Sequence, residues 1–234
     1  MEIKVLSYNV LHFENFKTGK IDFDLFASAI KETGADIIGL NEVHGKGDDP
    51  EYTAQVDIMA KKLGFYGYFA KACDIDGENN PFGNGILSRY PIVSTEIIPI
   101  ADPFPRKYDG YYETRNILKA VIDAGEPISV FVTHFGLNPD EQENAVRACL
   151  ENVCSKCIFM GDLNVTPDNP VIKPLADILT DTANSDEEML SFPSDKPFKK
   201  IDYIFTGEGI KKISARVLPL ECSDHRPYFA QISI

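Results

Sequence analysis

Tryptophan is absent from the 234 residues, and no apolar stretch approaches the ~20 residues needed to span a bilayer. The first five residues run straight into an alternating strand pattern and lack the apolar segment of a signal peptide. No linker rich in Pro, Gly or Ser, no low-complexity run and no internal repeat divides the chain. We therefore expect one domain, residues 1–234, of a soluble and cytoplasmic protein.

Basic residues are also scarce, with 23 Lys and Arg against 36 Asp and Glu, a net charge of −13. Nucleic-acid binding draws most of its affinity from Lys and Arg that replace counterions on phosphates. The basic residues are scattered as short pairs, so the charge disfavours a nucleic-acid partner without excluding a local basic groove. The acidic stretches 47–51, 74–78 and 186–188 are predicted to be solvated loops.

The five cysteines form an odd set, and a domain of this size does not need disulfides. Cys154 and Cys157 make a C-x-x-C, which suits a redox pair or half of a zinc site. No second C-x-x-C or H-x-x-H accompanies it in the sequence. We therefore interpret both as buried or half-buried thiols without a chemical role.

Runs rich in Val, Ile, Phe and Tyr, most of them alternating with polar residues, predict eleven β-strands, and three amphipathic segments predict helices. So many strands do not fit one open sheet comfortably. Two packed sheets with helices outside is the economical layering, a mixed α/β (α+β) fold. The predicted strands are 3–10, 36–43, 66–70, 85–88, 92–99, 115–122, 128–134, 157–163, 201–205, 213–218 and 227–234, and the predicted helices are 23–32, 53–63 and 139–153.

Polar side chains gather where apolar runs end. Asn9, Glu42, His134 and Asp162 each close such a run, and Asp224 precedes the last one. Burying charge is costly unless the group is paired or bound to a metal. One such strand end is ordinary, but five in one chain predict that these groups converge on one edge of a sheet, the rim.

Six segments, taken in this order, resemble the motifs of the endonuclease/exonuclease/phosphatase superfamily. The resemblance extends from Asn9 to Pro227 and includes Asn-Gly-Ile-Leu-Ser-Arg-Tyr-Pro at 84–91. It implies a deoxyribonuclease-I-like, four-layer α/β/β/α sandwich with a metal-dependent site. The six are Ser-Tyr-Asn-Val (7–10), Leu-Asn-Glu-Val (40–43), Thr-His-Phe-Gly (133–136), Gly-Asp-Leu-Asn (161–164), Ile-Asp-Tyr-Ile (201–204) and Ser-Asp-His-Arg-Pro (223–227).

Phosphoester hydrolysis needs a hard cation, an oriented water and stabilisation of negative charge. Magnesium takes oxygen ligands and keeps several waters, so one or two carboxylates suffice. Glu42 is the predicted ligand, because the matching Glu is the most dependable ligand in the family that the chain resembles. Asn9 and Asp224 are expected to assist it, and the expected cofactor is Mg²⁺ or Mn²⁺.

The catalytic groups are predicted from the same segments. His225 is expected to donate to a phosphoryl oxygen or to act as acid or base, and the resemblance implies that Asp202 holds its other ring nitrogen. Asp162 is expected to orient or deprotonate the attacking water, and Asn164 to donate to the phosphate. His134 is expected to donate to the developing negative charge opposite His225.

Two further residues are predicted to bind substrate. Arg115 suits a bidentate phosphate contact, although a plain surface Arg on a strand explains it nearly as well. Asn84 is a second candidate, with an Asn-Gly turn as the alternative. His12 and His44 flank two of the motifs without a partner at ligand spacing, and we interpret them as bystanders.

Departures from the family pattern narrow the function. Asn41 stands where many relatives carry Gln, which puts a contact behind the metal ligand in doubt. The absence of Trp and of a long exposed apolar hairpin disfavours a sphingomyelinase-like function, and the motifs look more like those of compact bacterial phosphodiesterase-like members. We expect hydrolysis of a small or exposed phosphodiester or phosphomonoester. The alternatives are a DNA or RNA nuclease and a non-catalytic phosphate-binding domain.

Overall fold

The computed structural model describes residues 1–75, 77–183 and 189–234. The predicted acidic loop at 186–188, and Asp76 within the loop at 74–78, lie outside the described residues. The strands, in chain order, are β1 (Glu2–Asn9), β2 (Glu14–Asn15), β3 (Lys20–Ile21), β4 (Ile37–His44), β5 (Tyr66–Asp74), β6 (Pro81–Ser88), β7 (Ile92–Pro99), β8 (Asn116–Asp123), β9 (Pro127–His134), β10 (Cys157–Asp162), β11 (Thr180–Asp181), β12 (Asp202–Thr206), β13 (Lys211–Val217) and β14 (Tyr228–Ser233).

The helices begin and end at residues whose chemistry favours those positions. Asp22 accepts from Leu25 N at 3.0 Å before the first helix, and Gly34 ends that helix in the left-handed region. Glu141 accepts from Asn138 N at 3.0 Å at the start of the third. The helices are α1 (Phe23–Thr33), α2 (Gln55–Leu63), α3 (Pro139–Asn152) and α4 (Lys173–Ala176), with 3-10 turns at Leu11–Phe13 and Pro170–Ile172. Among the described residues, no helix is long and apolar enough to cross a membrane.

The principal strands form two six-stranded mixed sheets. The first has the order β13-β14-β1-β4-β6-β5, and the second has the order β11-β12-β10-β9-β8-β7. Only the central pairs β1–β4 and β9–β10 are parallel among these neighbours. Each sheet therefore turns the carboxyl ends of two parallel strands toward one edge.

Three hydrophobic cores separate four layers, and the period-2 alternation of the strands builds them. In β10, Ile158 and Met160 face the core between the sheets, while Phe159 faces the core outside. Helices α1 and α2 cover the outer face of the first sheet, and α3 covers that of the second. The predicted four-layer α/β/β/α sandwich is confirmed.

Strand register places the polar residues of the rim. In the second sheet Asp162 is the register partner of His134 on β9 and of Asp202 on β12. In the first sheet Asn9 on β1 is the partner of Asn41 on β4. His134, Asp162 and Asp202 therefore lie side by side across three neighbouring strands of the second sheet.

Some predicted boundaries were wrong. The strand predicted at 36–43 continues to His44, so Glu42 lies inside β4 and does not end it. The hairpin of β5 and β6 is longer than predicted and contains a bulge between Lys71 and Cys73. Cys154 is exposed, not buried, and all five cysteines are free thiols.

Lys200, just before β12, is buried between aromatic rings. Its ammonium lies 3.2 Å from the centre of the Tyr203 ring and 2.9 Å from Asp181 Oδ2. Burial lowers the pKa of Lys200 to about 8, although Asp181 opposes the shift.

This burial gives a pH-dependent stability. The folded-state pKa of Lys200 lies below its ordinary value near 10.5, so folding favours the neutral amine. The contribution of Lys200 to stability should therefore grow as the pH rises from about 8 to about 10.5. We expect wild type to gain unfolding free energy relative to Lys200→Met over this range, measured by urea denaturation. Lys199→Met, at the exposed neighbouring position, should show no such trend; a constant gap for Lys200→Met would contradict the expectation.

Candidate active site

A bulge in β4 aims Glu42 at the rim. Leu40 pairs with Gly85 and Val43 with Gly83, so β4 carries one extra residue against β6. Glu42 has a φ of 57°, a left-handed conformation that costs of order 1–3 kcal/mol for a residue other than Gly. Bulges beside active sites re-aim side chains in this way. The Glu42 side chain is left 23% exposed and accessible to a ligand.

Asn9 connects this carboxylate to the second sheet. Its Nδ2 donates to Glu42 Oε1 at 2.9 Å and to Asp162 Oδ2 at 3.2 Å. Its Oδ1 accepts from Leu11 N at 3.2 Å. The structure therefore presents Asn9 as a donor between two carboxylates, and direct ligation of a metal by Asn9 would require its amide to turn and to lose the Leu11 contact.

Asp162 lies at the centre of the rim and is buried. Its backbone N–H donates to Asn41 Oδ1 at 2.9 Å, and its Oδ1 accepts from Asn164 N at 2.9 Å. Burial raises the pKa of Asp162 to about 7, although the neighbouring His225 lowers it. A carboxyl group whose pKa lies near neutrality suits a general base.

His225 lies on one side of Asp162. Its Nδ1 is 2.9 Å from Asp202 Oδ2, and its Nε2 is 3.5 Å from Asp162 Oδ2. Burial opposes a charge on this ring, but the Asp202 and Asp162 carboxylates outweigh it and raise the pKa of His225 to about 10. The ring is therefore an imidazolium at neutral pH, with Nδ1–H donating to Asp202.

His134 lies on the other side, also with Nε2 at 3.5 Å from Asp162 Oδ2. Its Nδ1 is 2.8 Å from Arg115 Nη1. A guanidinium has no acceptor, so Nδ1 must accept and Nε2 carries the proton. Burial and then the charges of Arg115 and His225 lower the pKa of His134 well below its usual range. Of the two histidines that flank Asp162, His225 thus favours the cationic form and His134 the neutral form.

Arg115 lies behind His134 with respect to Asp162. Its Nη1 also lies 2.8 Å from Glu113 Oε1, while its buried Nε has no hydrogen-bond partner among the described residues. The guanidinium therefore fixes the His134 tautomer. The predicted bidentate phosphate contact of Arg115 stays a prediction.

A chain of buried amides supports the rim from below. Asn41 Nδ2 donates to Asn84 Oδ1 at 2.7 Å and to Thr133 O at 2.9 Å, and Asn84 Nδ2 donates to Asn116 Oδ1 at 2.9 Å. Asn41 thus joins the two sheets. Asn84 is 2% exposed with both polar atoms engaged, so this geometry favours a supporting position over the substrate contact predicted for it.

The backbone conformation of the Gly-Asp-Leu-Asn segment (161–164) explains its glycine and its asparagine. A Cβ at Gly161 would collide with the backbone of Thr133 on β9, and Gly161 has a φ of 148°. Asn164 has a φ of 51°, which Asn tolerates better than most residues. Its Nδ2 donates to Phe135 O at 3.0 Å and lies 3.1 Å from His134 Nε2.

The residues near Glu42 fit a hard divalent cation. Asp224 is half-buried; burial raises its pKa, His225 lowers it, and the Glu42 carboxylate adds to the rise. Glu42, Asp162 and Asp224 thus bring unbalanced negative charge and oxygen donors to one place. Oxygen donors of this kind are what Mg²⁺ and Mn²⁺ prefer.

A second group could also hold an ion, since ligand atoms of Asp162, Asp202 and His225 lie within 4.8 Å of one another. However, Asp202 and His225 bind each other and are 0% and 4% exposed. Magnesium usually keeps several waters, and the more exposed Glu42 leaves room for them. We therefore take Glu42 as the centre of the candidate metal site.

Most of the predicted residues meet in this network. Asp224 adjoins it through His225 and Glu42, whereas Asn84 lies beneath it. Their individual roles stay predictions. Sequence reasoning missed Glu113 and Asn116, which lie outside the recognised motifs. His12, which we interpreted as a bystander, lies next to the candidate metal ligand, since its Nε2 is 4.0 Å from Glu42 Oε2.

A four-layer sandwich with carboxylates and histidines at the carboxyl ends of its central strands defines the deoxyribonuclease-I-like class. The chain belongs to the endonuclease/exonuclease/phosphatase family, whose family model matches residues 6–225. Members of this family are generally hydrolases of phosphoester bonds and typically use divalent metals. A comparison with curated proteins finds no match.

Solved structures share the fold. An endonuclease/exonuclease/phosphatase from Beutenbergia cavernae superposes with a TM-score of 0.81 at 21% identity, covering 100% of this chain and 72% of that one. The mannosyl-6-phosphatase Bt3783 of Bacteroides thetaiotaomicron gives 0.78 at 16% identity, covering 99% and 100%. The human Nocturnin catalytic domain with a bound sulfate anion gives 0.74 at 18% identity, covering 99% and 94%. At these identities the likeness concerns the fold alone.

Proposed function

We propose that the protein is a divalent-metal-dependent hydrolase of a phosphodiester or phosphomonoester. The observation that carries the proposal is the position of Asp162: a buried carboxylate whose Oδ2 lies 3.5 Å from Nε2 of both His225 and His134, and which is joined through Asn9 to the partly exposed Glu42. A base, two donors and a cation ligand at one rim are the components that phosphoryl transfer to water requires.

Glu42 would hold the cation, with Asp224 as the neighbouring oxygen donor. When bound, Mg²⁺ or Mn²⁺ would polarise the phosphoryl oxygens and offset the charge that the three carboxylates bring together. Asn9 fixes the Glu42 carboxylate by donating to Oε1. The Oε2 atom of Glu42 then remains for the ion.

The chain's own groups supply the proton chemistry. Asp162 orients the attacking water and takes its proton, because its raised pKa makes the carboxylate basic enough near neutral pH. His225 donates from Nε2 to a phosphoryl oxygen, and Asp202 stabilises its charge. His134 donates from Nε2 on the opposite side, and Arg115 holds it in that tautomer.

Removal of the metal tests the proposal directly. We expect EDTA to abolish hydrolysis of bis-p-nitrophenyl phosphate or p-nitrophenyl phosphate, and Mg²⁺ or Mn²⁺ to restore it. Glu42→Gln should lower kcat/KM at least ~100-fold, because the amide binds a dication far more weakly than the carboxylate. Glu151→Gln, at an exposed position on α3, is the matched control. Activity that is indifferent to chelation would reject the metal.

The same assay should include plasmid DNA at two salt concentrations. The net charge of −13 predicts that DNA is a poor substrate. Efficient cleavage of plasmid that falls steeply with salt would favour the nuclease alternative. Phosphate binding without turnover of any phosphoester would favour the non-catalytic alternative.

A further inference from the structure

A cavity of about 450 Å³ opens beside Glu42 and is not used by the proposed chemistry. His12 connects the two, since it lines the cavity and its Nε2 lies 4.0 Å from Glu42 Oε2. The cavity volume lies within the ~300–1,000 Å³ typical of small-molecule sites. A molecule whose phosphoryl group binds at Glu42 would therefore extend into this space past His12.

One wall is a rigid stack of three rings. The rings of His12 and Tyr52 each stack on that of His44 with centroids 4.1 Å apart, at interplanar angles of 23° and 13°. The two faces of His44 are therefore both covered by rings, and its edge borders the cavity. A flat base therefore cannot stack on the His44 ring, which offers the cavity only its edge.

Gln55 holds the stack in place. This fully buried side chain donates from Nε2 to His12 O at 2.9 Å and accepts at Oε1 from His44 N at 2.8 Å. Leu11, His12 and Phe13 all have positive φ angles, between 45° and 60°. Strain of this kind persists only where the surroundings over-determine the backbone. The wall is therefore formed before any ligand binds.

The rest of the lining carries charge. The β2–β3 hairpin contributes Glu14 and Lys20, and Glu51 lies near Tyr52 on the loop before α2. Two carboxylates against one ammonium leave a net negative charge, which opposes a second phosphate and therefore a polynucleotide or polyphosphate. The polar lining also opposes an acyl chain. Carboxylates accept hydrogen bonds from hydroxyl groups, and an ammonium donates to hydroxyl and ether oxygens.

We infer that this cavity binds the uncharged, polyhydroxylated part of a sugar phosphate whose phosphoryl group binds at Glu42 and Asp162. The inference rests on the proposed function and names its substrate class. Glu14 and Glu51 accept from sugar hydroxyls, Lys20 donates to a sugar oxygen, and the ring stack limits the depth. The His12 edge marks the boundary between the sugar and the phosphoryl group.

The test compares glucose 6-phosphate and other hexose 6-phosphates with p-nitrophenyl phosphate. Wild type should show a higher kcat/KM for at least one hexose phosphate than for p-nitrophenyl phosphate. In the double variant Glu14→Ala/Glu51→Ala the ratio of the two kcat/KM values should fall at least ~10-fold, because the sugar loses its hydrogen bonds to both carboxylates while p-nitrophenyl phosphate makes none there. The control Glu151→Ala/Glu208→Ala removes the same charge at exposed positions outside the cavity and should keep the ratio.

The outcomes separate this inference from the proposed function. Metal-dependent hydrolysis of p-nitrophenyl phosphate with no preference for any hexose phosphate, or an unchanged ratio in the double variant, would overturn the sugar site alone. Cleavage of plasmid DNA by wild type that is more efficient than its hydrolysis of every hexose phosphate would also overturn it. Failure of wild type to hydrolyse any phosphoester with Mg²⁺ or Mn²⁺ would overturn both.

Discussion

Asp162→Asn is expected to lower kcat about 10³-fold, since loss of a positioned general base typically costs 10²–10⁴. The amide keeps the shape of the carboxylate, and its oxygen can still accept from Asn164 N. What it cannot do is take a proton from water. The loss should appear in kcat and in kcat/KM alike, because the interaction is made in the transition state.

Stability separates this chemical effect from unfolding. Burial raises the pKa of Asp162, which means that the folded state disfavours its ionised form. A neutral amide avoids that cost, but its Nδ2 would face the donors of Asn9, His134 and His225, so the unfolding free energy of the variant should be measured by urea denaturation beside that of wild type. Asp57→Asn, at an exposed position on α2, is the matched control. A variant with wild-type kcat would refute the role of Asp162, and an unfolded variant would be followed by Asp162→Glu, which keeps the charge but shifts it.

His225→Gln is expected to lower kcat/KM at least ~100-fold, because it removes the acid–base group and the positive charge beside Asp162. Asp202→Asn should cost nearly as much. Asp202 is placed to act through His225, since its Oδ2 contacts Nδ1 and the carboxylate is fully buried. Without it, the pKa of His225 should fall toward or below its ordinary value.

A double-mutant cycle tests this coupling. The double variant His225→Gln/Asp202→Asn should be no slower than His225→Gln alone, because residues that act as one unit give non-additive effects. Titration of the His225 ring by NMR in Asp202→Asn should show the lowered pKa, a change that a purely structural role would not produce. Additive losses, or an unchanged His225 pKa, would separate the two residues.

The layers of the fold could be predicted because they depend on local pattern. Alternation at Ile158, Phe159 and Met160 assigns each side chain to one face of a strand, whatever the rest of the chain does. The polar residues of the rim could be predicted for a similar reason. A carboxylate such as Asp162 at the end of an apolar run is conspicuous in the sequence itself.

The supporting contacts could not be predicted in this way. Asn41 was noticed as a departure from a family pattern, yet its contact with Asp162 N joins residues 121 positions apart. Asn116 lies in a segment without a motif, and only the packing of the second sheet on the first brings it against Asn84. Such contacts depend on how the two sheets pack, which a local pattern does not specify.

The sequence by itself determined the four layers, the family and the set of candidate residues, because side-chain alternation and motif order are properties of the chain read in one direction. The tertiary structure alone decided that a bulge aims Glu42 outward, that His225 is charged while His134 is neutral, and that a cavity opens past His12. These features depend on burial and on sums of charge over groups from both sheets. Neither quantity exists until the chain has folded.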